Sequence, residues 1–401
     1  MSRYFTHFLI MVLLLAGAMA GFNWKVDPYV IYRDRDALLQ QPSPVRVMNE
    51  RVFKTVGLAH ARADIVMLGT SRIDIGIGRG QRAFEGKRVF SLATFGQPIR
   101  ESRRLMEIAV EQSKPKTIVL GLDFFAFNTL FVLPSDYVEE NYSQWRPYSL
   151  MLSVSTLADS LAVVRQKVPA AGDCCYADGF RTPQVLSGFA GSYRNRFAAN
   201  ERAYLLEKYL PYPACSFSLE RKDGGTSLDD LREMIRLAHR HHVDLRLFIS
   251  PAHARQWETL AISGLWGQWE EWKRQLVRIN EDEAGKAAEA VFLLWDFSGY
   301  DAISSEDVPA AGDSKTVMRW YSDSAHYTQE LGKRIVQRMF APTAEQSDGW
   351  GLAMNGANIE AHLEQVRLAR EQYRAAHRQE IADIEGIARE VSRIKHCPRR
   401  Q

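Results

Sequence analysis

Apolar residues run unbroken from Ile65 to Leu68, between charged Asp64 and Gly69, which predicts a short strand buried on both faces. Similar patterns predict strands over Arg88 to Ala93, Thr117 to Leu122, Asp244 to Ser250 and Val291 to Phe297. Between them, apolar residues return every three or four positions, predicting helices over Ile99 to Gln112, Ser227 to His241, Leu265 to Asp282 and Thr328 to Met339. Trp266, Trp269 and Trp272 would put their indoles on one face of the third of these helices, against the sheet. Strands alternating with helices are βαβ units, so the expected class is α/β with a five-stranded parallel sheet.

Four segments break this alternation. From Tyr4 to Trp24 the only polar side chains are Thr6, His7 and Asn23, and such a stretch is long enough to cross the hydrocarbon core of a bilayer as a helix. Residues 1–24 are therefore expected to be a membrane anchor with Arg3 on the cytoplasmic side. The competing reading is a secretory signal cleaved after Ala18-Met19-Ala20, but apolar Gly21-Phe22 carry the run past that point and favour an uncleaved anchor. Residues 25–62 are polar and broken by Asp27-Pro28 and Pro42-Ser43-Pro44, which predicts a linker with short helices before a domain over 63–342. Within that domain, periodicity is lost over about 124–226, which is expected to be a mostly helical insertion.

The fourth segment is a helical tail over 343–401. Ile359, Val366, Tyr373, Ile387 and Ile394 share one seven-residue repeat, with Leu363, Ile384 and Val391 on its companion position. Arg370, His377 and Glu380 interrupt both seams. The pattern predicts one long helix from Asn355 to Lys395. That helix either associates with itself or a partner, or packs on its own domain. If it associates, the main domain should fold and react without it.

Composition narrows the classes. The 51 basic residues nearly balance 48 acidic ones, for a net charge of +3, so no bulk field draws the chain to nucleic acid. Cys174, Cys175, Cys215 and Cys397 fit no metal-ligand spacing, and no metal is expected. In an oxidising compartment, one of the adjacent pair could bridge to Cys215; otherwise all are thiols. Gly76-Ile77-Gly78-Arg79-Gly80 lacks the Gly-Lys-Ser/Thr ending of a phosphate loop, and no cofactor is expected.

The chemistry-bearing residues fall at strand ends and helix starts. Ser71 follows the first strand in Gly69-Thr70-Ser71-Arg72, where the carboxyl end of a parallel strand faces ligand. Far downstream, Asp323-Ser324-Ala325-His326 supplies a base and a group to hold its tautomer, which a serine hydroxyl needs in order to attack. Taken alone, such an Asp-x-x-His is better explained by a helix-capping Asp beside a surface His. Ser71 lacks the Gly-x-Ser-x-Gly elbow, because Ile73 stands where the last glycine belongs. His253, after the fourth strand, also points to the ligand end, where a supporting role in the core is the simpler reading.

Ser71 and the Asp323/His326 pair resemble the first and last blocks of the SGNH (GDSL-like) hydrolase superfamily. The surrounding Gly121-Leu122-Asp123-Phe124 and Trp320-Tyr321-Ser322-Asp323 look most like its membrane-anchored branch. That branch includes relatives of alginate O-acetyltransferases and of teichoic-acid D-alanyl transfer proteins. The resemblance implies a three-layer sandwich and Ser71, His326 and Asp323 as catalytic residues. It also implies acyl transfer or ester hydrolysis on an exported or envelope polysaccharide, at the inner membrane with the bulk of the chain periplasmic. Membrane-bound envelope biosynthesis proteins would be its partners. Gly96 stands where the family's second-block glycine would be. The third block, Gly-x-Asn-Asp, is altered here to Gly121-Leu122-Asp123, with Asn128 five positions on as the candidate side-chain donor to an oxyanion. Arg72 would either hold an anionic group or pair with Asp123, and Trp320 is a candidate to line the site. A domain of this kind that has lost catalysis, and binds polysaccharide or scaffolds a synthase, is the alternative.

Overall fold

The structure is a computed structural model that describes residues 2–32, 49–165, 175–182, 191–313, 315–340 and 350–395. In chain order its elements begin with α1 (Ser2–Val26), α2 (Glu50–Ala61), β1 (Ile65–Leu68), α3 (Ser71–Gly76), β2 (Val89–Ser91), α4 (Ile99–Gln112) and β3 (Thr117–Leu122). There follow α5 (Arg146–Met151), α6 (Val154–Val164), α7 (Tyr193–Ala203), α8 (Leu228–Arg240), β4 (Asp244–Ile249), α9 (Ala254–Ile262) and α10 (Trp266–Ala287). The last are β5 (Leu294–Asp296), α11 (Gln329–Phe340), β6 (Leu352–Ala353), α12 (Ile359–Ala376) and α13 (Arg378–Lys395). The protein is thus a mixed α/β chain, divided into two compact units, 1–62 with 135–188, and 63–134 with 189–401.

The first unit is helical among its described residues. Its α1 is long and apolar enough to cross a membrane. Near the helix end the Asn23 amide donates to the carbonyls of Met151 and Ser153 at 2.9 and 3.3 Å, and its oxygen accepts from the Ser160 hydroxyl at 3.0 Å. The Asp27 carboxylate then accepts from the amides of Ile31 and Tyr32, turning the chain after Pro28. Tyr29, Ile31, Val52, Val56 and Leu150 close an apolar cluster. Residues 25–62 were expected to be a linker, but Glu50 to Leu58 of α2 are buried, with Arg51 paired to Asp136 at 2.6 Å and Glu50 paired to Arg181. The proline-rich stretch Pro42-Ser43-Pro44 lies outside the described residues. The expected insertion is likewise divided: 135–188 joins the N-terminal segment, and the remainder belongs with the sheet.

The second unit is built on a six-stranded sheet in the order β2-β1-β3-β4-β5-β6, parallel except for β6, which pairs antiparallel with β5. Each sequence-predicted strand is present, with the expected bounds for Ile65–Leu68 and Thr117–Leu122 and shorter bounds for the other three. The sixth strand comes from the segment assigned to the tail, where a two-residue edge strand has too little pattern to be read locally. The order reverses between β1 and β3, and crevices at such reversals, outside the strands' carboxyl ends, take ligands. Leu228, Leu231, Met234, Ile235 and Ala238 form the buried stripe of α8, which packs on α4 and α10. Trp269 and Trp272 are fully buried from α10, as their spacing implies, with the Trp266 ring 4.8 Å from that of Trp269 and tilted against it by 51°.

The long helix expected over Asn355 to Lys395 is two helices, α12 and α13, broken at His377 where polar residues interrupt the seam. Neither is a free tail. Ile384, Val391, Ile381 and Tyr373 are buried, Ile387 and Val391 against Leu205, and Tyr373 and Ile381 against Ala254. Salt bridges reinforce this packing: Glu258 accepts from Arg370 at 2.8 Å and from Arg374 at 2.5 Å. Arg255 is held by Glu201 at 2.7 Å and paired with Glu380 from α13. Buried Lys273 meets Asp296 at 2.6 Å, and His362 of α12 donates to the same carboxylate at 2.8 Å. Although burial opposes ionisation of Asp296, Lys273 and His362 hold its carboxyl well below the usual range. Apart from exposed Ile394, the seam that suggested self-association is therefore buried within the unit.

Candidate active site

Ser71 is the first residue of α3, immediately beyond β1, and Thr70 caps that helix by accepting from the Arg72 amide. The turn needs glycine at position 69: its φ is +144°, and a Cβ there would lie 2.3 Å from the Ile73 side chain. Gly121 on β3 clears the same methyl group from the other side, where a Cβ would meet it at 2.0 Å. Ile73 thus seats α3 directly on the sheet and fixes where Ser71 stands. Thr70 and its carbonyl also take up the amides of Arg72, Ile73 and Asp74. No such bond engages the Ser71 amide among the described residues.

The base arrives on a narrow loop. Tyr321 and Tyr327 pair across it, and the Ser322 amide donates to the His326 carbonyl at 2.9 Å. At its tip the Asp323 carboxylate accepts from the amides of Ala325 and His326 at 2.8 and 2.9 Å, and its second oxygen meets His326 Nδ1 at 2.7 Å. His326 Nε2 lies 2.9 Å from Ser71 Oγ. Burial works against the Asp323 charge, yet the imidazole and the two amides hold its carboxyl below the usual range. An ionised carboxylate only accepts, so the imidazole proton sits on Nδ1 and Nε2 is left to accept from the serine hydroxyl. Both contacts fall within the reach that proton transfer requires.

Two devices hold the loop against α3. Tyr327 packs on Gly76, where a Cβ would come within 2.0 Å of its ring, and Gly332 of α11 meets the Gly76 carbonyl so closely that its own Cβ would stand 1.9 Å away. Behind the loop, the Ser324 hydroxyl accepts from Asn200 and donates to Gln256, whose amide donates to the Tyr209 hydroxyl, each at 2.9 Å. His253 completes the support: its amide donates to the Ser324 carbonyl at 3.0 Å and its Nε2 to the Glu306 carbonyl at 2.6 Å. Burial lowers its pKa to about 4. This is the supporting role expected for it.

The remaining candidates are occupied elsewhere. Arg72 is buried and donates to Asp123 at 3.1 Å and to the Tyr204 hydroxyl at 3.3 Å, with the rings of Phe125, Tyr204 and Trp257 within 6 Å of its guanidinium. Of the two roles open to it, the structure shows the pairing with Asp123, whose second oxygen accepts from Thr70. Asn128 donates its amide to the Lys208 carbonyl at 2.8 Å and accepts from the amides of Leu130 and Ser218, so its bonds brace the chain after β3. Gly96 has a φ of +58° in the loop after β2, which the Thr94 amide ties to the Gly69 carbonyl at 3.1 Å. Trp320 is half-buried at the base of the loop, its ring 4.2 Å from the Arg319 guanidinium.

Thr70, Tyr204, Tyr209, Asn200 and Gln256 went unread as site residues. Thr70 has a local signal, a Thr before a helix start, but the others meet partners 47 to 132 residues away along the chain. Cys215 is disulfide-bonded and Cys175 is a buried free thiol, so Cys175 is not its partner; Cys174 and Cys397 lie outside the described residues. Among the described residues no group of His, Cys, Asp and Glu could hold a metal ion. Cavities of about 650 and 360 Å³ open beside Asp296 and beside Asn128, and neither is lined by Ser71 or His326. No protein-family model matches the chain, and a search of curated proteins finds none that matches it.

Proposed function

We propose that the protein performs acyl-ester chemistry, as an O-acyltransferase or esterase, on an exported or cell-envelope polysaccharide, as a membrane-anchored member of the SGNH superfamily with its three-layer fold. The observation that carries this reading is the continuous chain from Ser71 Oγ through His326 to Asp323, at 2.9 and 2.7 Å, at the carboxyl end of β1. Ser71 attacks the acyl carbon as its proton passes to His326 Nε2, and Asp323 stabilises the imidazolium. The proton is returned to the leaving oxygen, giving an acyl-serine. A sugar hydroxyl or water then attacks that ester by the same route and restores the free serine. The Ser71 amide at the start of α3 is the donor this reading assigns to the oxyanion. The anchor would be α1, with the bulk of the chain periplasmic.

Asp123 and Asn128 favour a second reading. Their polar atoms are spent on Arg72, Thr70 and backbone, so the altered third block offers the oxyanion no side-chain donor from these two positions, and one such donor is worth about 3–4 kcal/mol of transition-state stabilisation. A domain that keeps the fold, binds polysaccharide and scaffolds a synthase would have this composition. A fluorophosphonate probe separates the two. Labelling of the wild type that is lost in Ser71→Ala, with acetyl-ester turnover lowered by about 10⁶-fold, supports the enzyme. Equal behaviour of the two proteins supports the binding module.

A further inference from the structure

Burial along α1 is uneven. Side chains from Arg3 to Leu15 are exposed without interruption, whereas Ala16, Met19, Ala20, Phe22, Asn23 and Val26 are covered along one face. The helices on which α1 packs are α5 and α6. At about 1.5 Å per residue the bare stretch is about 20 Å long, short of the roughly 30 Å of a bilayer's hydrocarbon core. If α1 crosses a membrane, its covered turns also lie within the core, and α5 and α6 go in with them.

The outer surface of α5 and α6 is suited to that position. Trp145, Tyr148, Leu152, Val154 and Val164 are 66%, 62%, 55%, 73% and 59% exposed. Between Trp145 and Val164 the other exposed side chains are the uncharged Ser149, Ser155 and Ala158, while half-buried Arg146 and Asp159 are tied to Asn141 and to the Tyr29 hydroxyl. Exposed Arg165 and Lys25 stand at the ends of α6 and α1. A soluble surface seldom leaves contiguous apolar side chains of this size open to water. Two aromatics beside an aliphatic patch, flanked by basic residues, match what the boundary between headgroups and acyl chains selects.

We propose that α5 and α6 form a membrane-embedded element, with the face from Trp145 to Val164 sunk among the acyl chains of the leaflet on the carboxyl-terminal side of α1. The occupant of this face is phospholipid. Its continuity with α1 sets this reading above a second copy or another protein, because the same length shortfall that strands α1 is filled by immersing these helices.

The test uses the full chain in phosphatidylcholine vesicles, with and without bromine atoms on the upper acyl chain. Position 154 is exposed, so Val154→Trp adds a reporter without disturbing the core. Its added emission should be quenched by the brominated lipid and spared by aqueous iodide, and Trp145→Phe should remove part of the wild-type quenching. Quenching of the added tryptophan by iodide alone would overturn the proposal. So would protection from both quenchers, which would show another protein over the face. Loss of the chain on alkaline carbonate extraction of the same vesicles would show that α1 does not span, and the proposal would fall with it.

Discussion

At the scale of single residues, Asp323 does two jobs with its two oxygens, and they can be separated by substitution. In Asp323→Asn the amide oxygen can still accept from the Ala325 and His326 amides, so the loop should persist and the melting temperature should change little. The amide nitrogen, however, would donate to Nδ1 and leave the imidazole proton on Nε2, facing Ser71 with no lone pair. Ester turnover should fall by about 10⁴-fold, less than on loss of the serine, while probe labelling slows in parallel. His253 gives a pH signature. Its folded pKa, about 4, lies below the unfolded value near 6.5, so between these values the unfolded chain binds more protons and stability falls as pH falls. Melting temperature should therefore drop as pH is lowered from about 6.5 to 4. In His253→Asn, which keeps an acceptor for the Arg255 amide but does not titrate, the drop should be shallower. Equal slopes would show that His253 does not contribute.

At the scale of elements, the position of α3 against α11 sets the distance between nucleophile and base. The two helices touch through Gly76 and Gly332, with backbone against backbone. Gly332→Ala would push α11 away from the Gly76 carbonyl, at a cost of about 1–3 kcal/mol in stability. Because the loop bearing His326 leads directly into α11, the same shift should loosen the contact with Ser71 and lower kcat more than it raises KM. Thermal melting and steady-state kinetics on one acetyl ester test both halves. Unchanged kinetics with lowered stability would mean that the loop is held by Ser324 and His253 alone. The break between α12 and α13 has a related origin. Arg370 and Glu380, which spoil the seven-residue seam, are the residues that reach Glu258 and Arg255, so the interruptions are where the tail is fastened to the unit.

At the scale of the whole molecule, α12 and α13 are structural parts of the unit that holds Ser71. A chain ending near Phe340 would lose the Glu380 contact of buried Arg255 and the arginines facing Glu258, and would expose Leu205 and Ala254 to water. Arg255 would keep Glu201, but buried Glu258 would lose both of its arginines, and leaving a buried charge without its partner costs about 3–5 kcal/mol, a large share of a domain's net stability. The truncated chain should be insoluble, or should melt well below the full protein. A soluble truncation that labels with the fluorophosphonate probe at the wild-type rate would return the tail to a dispensable role.

Much of this was local in the sequence. Strands and helices of the sheet unit follow from hydrophobic period, which depends only on neighbours along the chain, and Thr117–Leu122 and Ile99–Gln112 keep their expected bounds. Ser71 at a strand end and Asp323 three places before His326 were legible for the same reason. What the sequence left open is non-local. Whether Arg72 faces a ligand or Asp123, and which carbonyl receives the Asn128 amide, depend on segments 51 and 80 residues away along the chain. The joining of 1–62 with 135–188, the sixth strand and the docking of α12 and α13 are likewise decided by which surfaces meet. A periodic pattern shows that a helix has an apolar face, but only packing in three dimensions determines what that face is buried against.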